Sequence, residues 1–320
     1  MEKSEIKPYN ALSNYLKEKY GTKIYKLSLN GNMTCPNRDG TLGTKGCIFC
    51  GEQGSGDFTA NKNLSITKQI KEAKKKVSKK IKNGKYIAYF QAFTNTYAPI
   101  DYLKKIFTEA INHPDIAILS IATRPDCLPE NVIELLDDLN KIKPVWIEIG
   151  LQTIHEQTAE FIRRGYSLPV FDKALKELTK RNIQVIAHVI IGLPYETEQM
   201  IYETIDYLSM TSISGIKLHL LHVLKNTDLA VLWEKKLFNT LTKEKYIDIL
   251  IGCIERLPKE VVIHRITGDG APKLLLAPDW SRYKWSLLND IHSEMKARGS
   301  FQGRLFNFNI NKKMPEQTVI

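Results

Sequence analysis

The stretch NMTCPNRDGTLGTKGCIFCGEQGSGDF, residues 32–58, holds three of the chain's five cysteines. Eleven residues separate Cys35 from Cys47, and two separate Cys47 from Cys50. The stretch follows an apolar run, KIYKLSLNG (23–31), that reads as a first β-strand. Three thiols in one glycine-rich loop have few uses. A structural zinc site wants four protein ligands, and the first histidine of the chain is His113, so a fourth ligand would have to be distant. A [4Fe–4S] cluster held by three cysteines leaves one iron free to bind a substrate or cofactor. The spacing therefore points to a catalytic cluster, with zinc as the alternative.

Outward from this loop the chain repeats. Further β-rich apolar runs are YIAYFQAF (86–93), IAILSIAT (116–123), VWIEIGLQT (145–153), IQVIAHVIIGLP (183–194) and ISGIKLHLLHVL (213–224). They start about 30 residues apart, the length of a βα unit. Most are apolar on both faces, as parallel strands covered by helices are. The stretches between them, 99–112, 129–142 and 168–181, have helical periodicity, with Pro99 and Pro129 suited to a first turn. Six such repeats predict an α/β fold, a partial (β/α)6 TIM-like barrel, with a doubly wound open sheet as the alternative. In a barrel the loops after the strands build the active site, which is where the cysteines lie. Residues 242–258 read as one more helix and 261–267 as one more strand; from about Phe301 the chain is polar without a clear period, a tail that docks or frays. The expected organisation is an N-terminal extension (1–20), a barrel (21–240) and a C-terminal extension packing on it (241–320).

The run C-P-N-R-D-G-T-x-G-x-x-G-C-x-F-C resembles the cluster loop of radical S-adenosylmethionine (SAM) enzymes, and most closely a bacterial branch near the catalytic subunit of Elongator. The usual spacing in that superfamily is three and two, and here the first interval is stretched. The resemblance implies a [4Fe–4S] cluster on Cys35, Cys47 and Cys50, with SAM on the open iron. It also implies SAM contacts after each later strand. Gln91, Ala92 and Thr94 stand where relatives carry a glycine-rich stretch. ATRPD (122–126) resembles an E-T-R-P-D motif, offering Thr123 and Arg124, with Ala122 in place of the acid and Arg124 able to pair with Asp126. EIGLQTIHEQTAEFIRRGY (148–166) is similar to a G-x-Q-S-x segment in which Gln152 and Arg164 meet SAM, the arginine suiting a carboxylate. In HVIIGLPYET (188–197) the backbone of Ile190, Ile191, Gly192 and Leu193 would hold adenine, with His188 beside it. The sixth segment carries His219 and His222, read as pointing to opposite faces of a strand and so not a metal pair. Arg265 and Asp269 are possible substrate-facing groups. Cys127 and Cys253 read as core thiols.

The net charge is 46 − 35 = +11. Residues 67–85 carry nine lysines and one glutamate, and Ile70, Ala73, Val77 and Ile81 recur at helical spacing. This predicts an amphipathic helix with a lysine face, either simply solvated or drawn to nucleic-acid phosphates. Aromatic residues, 9% of the chain, are not gathered with the lysines into stacking motifs, which counts against a dedicated single-strand binder. No apolar run has the length of a signal peptide or a membrane span, so a cytoplasmic protein without a membrane partner is expected. The resemblance implies reductive SAM cleavage and an electron donor such as flavodoxin or ferredoxin. Elongator-type relatives modify the C5 side chain of the tRNA wobble uridine, which makes tRNA the expected partner. A small-molecule radical SAM enzyme and a zinc-stabilised RNA-binding protein are the alternatives.

Overall fold

The computed structural model describes residues 7–54, 56, 59–78, 84–268 and 270–306. The strands are β1 (Tyr25–Leu29), β2 (Tyr86–Phe90), β3 (Ile116–Thr123), β4 (Val145–Gln152), β5 (Gln184–Ile191), β6 (Gly215–Leu220), β7 (Val223–Leu224), β8 (Val262–Arg265) and β9 (Leu275–Ala277). The helices are α1 (Leu12–Tyr20), α2 (Ile66–Val77), α3 (Ile100–Asn112), α4 (Glu130–Ile142), α5 (Glu156–Phe161), α6 (Leu168–Lys180), α7 (Glu198–Ser209), α8 (Asp228–Glu234), α9 (Lys243–Arg256) and α10 (Lys284–Ala297). Seven strands form one parallel sheet in the order β1-β2-β3-β4-β5-β6-β8. Each runs parallel to its neighbour and is joined to it through a helix, as parallel pairing requires. The expected partial barrel is the fold observed, extended by one strand. The seventh, β8, lies beyond residue 240, so the expected division there precedes a strand of the sheet.

The two faces of the sheet are packed differently. Outward residues such as Leu27, Ile121, Ile147 and Val189 meet the helices in the main core. Inward residues near the N-terminal ends of the strands, Ile87, Ile118, Trp146 and Ile186, cluster around Leu16 of α1. The N-terminal segment thus plugs the bottom of the barrel. It is tied there by pairing of Ala11 with Ile263 and a 2.8 Å bond from Ile263 N to Asn10 O. α1 ends on Gly21 in the left-handed region at φ +69°, the usual helix stop. The chain beyond α10 docks on the same end: Gln302 Oε1 accepts from Asn10 N at 2.8 Å, and its Nε2 donates to Val261 O at 2.9 Å. The α2 stripe buries Ile66, Ile70 and Ala73 and leaves Lys68, Lys71, Lys75 and Lys76 exposed; Ile81 lies outside the described residues.

One inward position is set by its neighbour. A Cβ on Gly215 would stand 2.9 Å from the His264 ring and 2.9 Å from Val262 O. His264 in turn packs edge-on against Trp146, ring centroids 5.1 Å apart. Gly215→Ala should therefore cost about 1–3 kcal/mol through overpacking. The check is urea unfolding; a midpoint equal to the parent's would mean that the β6–β8 register absorbs the methyl group without strain.

Candidate active site

The cysteine loop is built so that its long first interval closes on itself. After Cys35 the chain turns, with Arg38 N donating to Cys35 O at 2.8 Å and Leu42 N to Pro36 O at 2.8 Å. It returns at Gly46, whose N–H bonds Asn37 O at 2.7 Å. Gly46 has φ +74°, which favours glycine, and a Cβ there would press on the Arg38 guanidinium, 2.9 Å away. The eleven-residue interval is therefore an excursion that brings Cys47 back beside the start of the loop. Arg38 Nη2 fixes the far end, donating to Cys50 O and Gly51 O at 2.8 Å each. Asn37 Nδ2 donates to Arg163 O at 2.8 Å, which ties the loop to the β4–α6 connection.

All three cysteines line a single cavity of about 370 Å³ at the C-terminal ends of the strands. Burial pushes the Cys47 thiol up to about 11, with Cys50 adding to the effect. A cation beside this thiol, which a metal cluster would supply, favours its ionised form. Among the described residues no group of three or more His, Cys, Asp or Glu is gathered closely enough to hold a single metal ion, the three cysteines included; the cavity wall offers three thiols and no fourth cysteine. The donor set fits the three-thiolate ligation of a cluster.

Gln91, Thr94, Thr123, Arg124, Gln152, Arg164, His188 and Ile190 line the same cavity, whereas Ala92, Ile191, Gly192 and Leu193 do not. Ile191 is buried in the main core, and Leu193 in the small cluster that also holds Ile162, Ile190 and Leu221. Gly192 has φ +91°, and its missing Cβ makes room for Leu241, which accounts for the glycine by packing. Gln152 closes β4 at φ +68°, where a β-bulge shifts its pairing with β5 and re-aims its side chain. Arg124 holds Asp126 through two bonds of 2.9 and 2.8 Å and donates to Arg164 O at 2.9 Å. Arg164 is itself buried. It donates to Leu151 O at 3.1 Å, Thr153 O at 2.6 Å and Tyr166 O at 2.8 Å, with Glu156 at 3.2 Å. Both guanidiniums are thereby built into the loop that carries Gln152. Cys127 and Cys253 are buried and unpaired by disulfide, as expected for core thiols.

His219 and His222 both line the cavity, contrary to the expectation of opposite faces. The strand ends at Leu220, so the alternation on which that reading relied does not reach His222. Arg265 also lines the cavity, while Asp269 lies outside the described residues.

The floor of the cavity is a charged layer that sequence reasoning missed. Glu148 of β4 is fully buried, and its carboxylate accepts from Lys26 Nζ at 2.8 Å, Ser120 Oγ at 2.8 Å, His188 Nε2 at 2.9 Å and Lys217 Nζ. Lys217 Nζ also reaches Tyr89 Oη at 3.0 Å, and both lysines lie over the Tyr89 ring, at 4.6 and 4.5 Å. Burial alone would raise the Glu148 carboxyl; Lys217, Lys26 and His188 reverse this and hold it well below the usual range. Burial pushes the His188 imidazole down to about 4, and Lys217 adds to the shift. A neutral His188 facing an ionised carboxylate carries its proton on Nε2, leaving Nδ1 an acceptor. A signal for this layer does exist in the sequence. Lys26, Glu148 and Lys217 each interrupt an otherwise apolar strand, and charges in buried strands must find one another.

Comparison with known proteins agrees with this geometry. Residues 39–208 match the family model described as the radical SAM superfamily, and residues 213–297 match its C-terminal domain. The chain is 42% identical to the protein YtqA of Bacillus subtilis over 300 residues, 94% of this chain and 93% of that protein. It is 27% identical over 168 residues to a tRNA uridine(34) acetyltransferase of Methanocaldococcus jannaschii, covering 50% of this chain and 30% of that enzyme. The solved structure of Elp3 from Methanocaldococcus infernus superposes with a TM-score of 0.67 at 17% identity, over 87% of this chain and 64% of that one; at that identity the likeness is one of fold. No helix among the described residues is long and apolar enough to cross a membrane. From the family match, the extent of the likeness to YtqA and the seven-stranded partial barrel, the chain belongs to the radical SAM superfamily.

Proposed function

We propose that the chain is a tRNA-modifying radical SAM enzyme that matures the C5 side chain of a wobble uridine. The observation that carries the chemical half of this reading is the convergence of Cys35, Cys47 and Cys50 on the one cavity lined by Gln91, Thr94, Thr123 and Gln152. The three cysteines would hold a [4Fe–4S] cluster, and the cavity would take SAM. The chemistry supplied when these are bound is one-electron reductive cleavage of SAM to methionine and a 5′-deoxyadenosyl radical, fed by a donor of the flavodoxin or ferredoxin type.

The chain's own residues then have distinct tasks. The Gln152 amide can bond a ribose hydroxyl, and Thr94 and Thr123 offer hydroxyls on the neighbouring loops. Arg124 and Arg164 position these groups by pinning the β4–α6 connection rather than by pointing free charge at a ligand. The Glu148 layer and the α1 plug close the barrel from below, which keeps water from a reactive intermediate. His188 stands between the Glu148 layer and the cavity with an acceptor on Nδ1. Of the segment Ile190 to Leu193, Ile190 alone lines the cavity and remains a proposed contact for adenine.

The tRNA half rests on the partial likeness to tRNA uridine(34) acetyltransferases and on the net charge of +11. Its test is an anaerobic assay of 5′-deoxyadenosine with reduced, reconstituted protein. Addition of undermodified tRNA from a deletion strain should increase product and alter a wobble nucleoside in digests of that tRNA. If tRNA left SAM cleavage unchanged, and the deletion strain's nucleoside profile matched the parent's, a small-molecule substrate would replace tRNA in this reading.

A further inference from the structure

Eight described residues other than glycine have positive φ; Gln152 closes β4, and Asn32, Phe93, Tyr195 and Asn226 follow the C-terminal ends of β1, β2, β5 and β7. Such backbone is strained and persists where the surroundings enforce it, often at functional sites. Tyr195 is singular among them because a large ring is held there at φ +68° with 66% of its surface exposed. Its ring meets Phe161 edge-on, with centroids 5.1 Å apart. Phe161 packs on a small apolar cluster that includes Ile162, Ile190 and Leu221, and those three residues also line the cavity. Tyr195 thus packs, through Phe161, on a cluster that forms part of the cavity wall, and the ring with its surroundings makes a rim beside the site.

The same cluster seats α8 through Leu229 and Ala230, with Trp233 against it. Lys225 before that helix and Lys235 and Lys236 after it are exposed. Arg163 is matched by Asp228 at 2.5 Å; the other acids of these segments are the exposed Glu160 and Glu234 and the half-buried Glu196 next to the ring. The rim thus combines an exposed ring with three exposed lysines that form no ion pair among the described residues, although these residues are far apart in sequence.

We propose that Tyr195 is a stacking platform for a base of single-stranded RNA next to the nucleotide in the cavity, with Lys225, Lys235 and Lys236 facing its phosphates. This deepens the tRNA reading and rests on it. A ring face accepts any base, and lysines beside it neutralise backbone phosphates. Val231 and Leu237, 47% and 53% exposed, would serve a protein partner equally well; the lysines favour a polyanion.

The test uses the full chain, a labelled anticodon stem–loop RNA and a fully paired RNA duplex of the same length, with anisotropy measured across a salt series. Tyr195→Asn removes the ring while keeping a residue that tolerates positive φ, and Tyr195→Trp keeps a ring. Tyr195→Asn should weaken stem–loop binding roughly 5- to 100-fold, the size of one lost base stack, without changing the salt slope or the duplex affinity. Tyr195→Trp should stay within a few-fold of the parent. Lys235→Ala with Lys236→Ala should instead reduce the salt slope by roughly 1.4, two contacts at about 0.7 each. A Tyr195→Asn protein that binds the stem–loop like the parent, or loses stem–loop and duplex alike, overturns the platform and leaves the tRNA reading standing. A parent chain that binds neither RNA yet cleaves SAM in the presence of a metabolite removes the tRNA reading and the platform together.

Discussion

Alanine at Cys35, Cys47 or Cys50 is expected to abolish 5′-deoxyadenosine formation and to lower the iron bound after anaerobic reconstitution, while the thermal midpoint of the apoprotein stays close to the parent's. The reason is that these thiols do little for the fold. All three are only partly buried, and the loop is held by other bonds: Arg38 to Cys50 O and Gly51 O, Asn37 to Arg163 O, Gly46 to Asn37 O. Cys47 Sγ adds longer contacts, accepting from Asn37 Nδ2 at 3.5 Å and donating to Arg163 O at 3.4 Å, but the shorter bonds of Arg38, Asn37 and the backbone hold the loop's course without any one sulfur. A cluster held by three thiolates has no spare ligand, so loss of one removes metal and activity together. Serine at the same positions separates ligation from packing, because it preserves the shape and offers a poorer donor for iron. A Cys47→Ala protein that kept both its iron and its product would refute the assignment of this loop as the ligand set.

The loop was legible in the sequence because its candidate ligands are local: three cysteines within sixteen residues, followed by a repeating βα pattern. The stretched first interval became intelligible only in three dimensions, where Gly46 returns to Asn37 and makes the excursion a side loop. Gln152 and Arg164 were legible as a pair. The sequence does not disclose that Arg164 gives its hydrogen bonds to the carbonyls of Leu151, Thr153 and Tyr166, because backbone acceptors leave no trace in residue identity. The Tyr195 rim was hidden for a related reason. Its ring, Phe161 and the helix that the lysines flank, α8, are seated on one apolar cluster by the packing of separate segments. The seventh strand was read as a strand but not as part of the sheet, since strand order is a property of pairing and the intervening helix gives no sign of it.

Glu148→Gln should be the most destabilising single change in the barrel, costing about 3–5 kcal/mol, because it leaves buried Lys217 and partly buried Lys26 facing a neutral amide. Urea unfolding at neutral pH reads this directly. The pH dependence gives a second signature. Glu148 has a depressed carboxyl in the folded state, so its contribution is present above the unfolded value near 4.3 and is lost as pH falls through the lower folded value. His188 acts in the same direction: its imidazole falls to about 4 when folded, so below about 6.5 the unfolded chain takes up the proton more readily and stability declines. The parent should lose stability progressively on acidification, and Glu148→Gln, already without the carboxylate, should show a shallower acid limb. Removing the whole charged pair separates packing from charge. Glu148→Leu with Lys217→Met should recover much of the lost stability, since apolar replacements of buried ion pairs are often neutral or better, and the coupling energy of the double-mutant cycle should be large. SAM cleavage should not recover with it, because His188 would lose the partner that fixes its tautomer on the cavity wall. Full recovery of both stability and cleavage in the double variant would mean that the layer is a filling for the barrel and has no part in shaping the site above it.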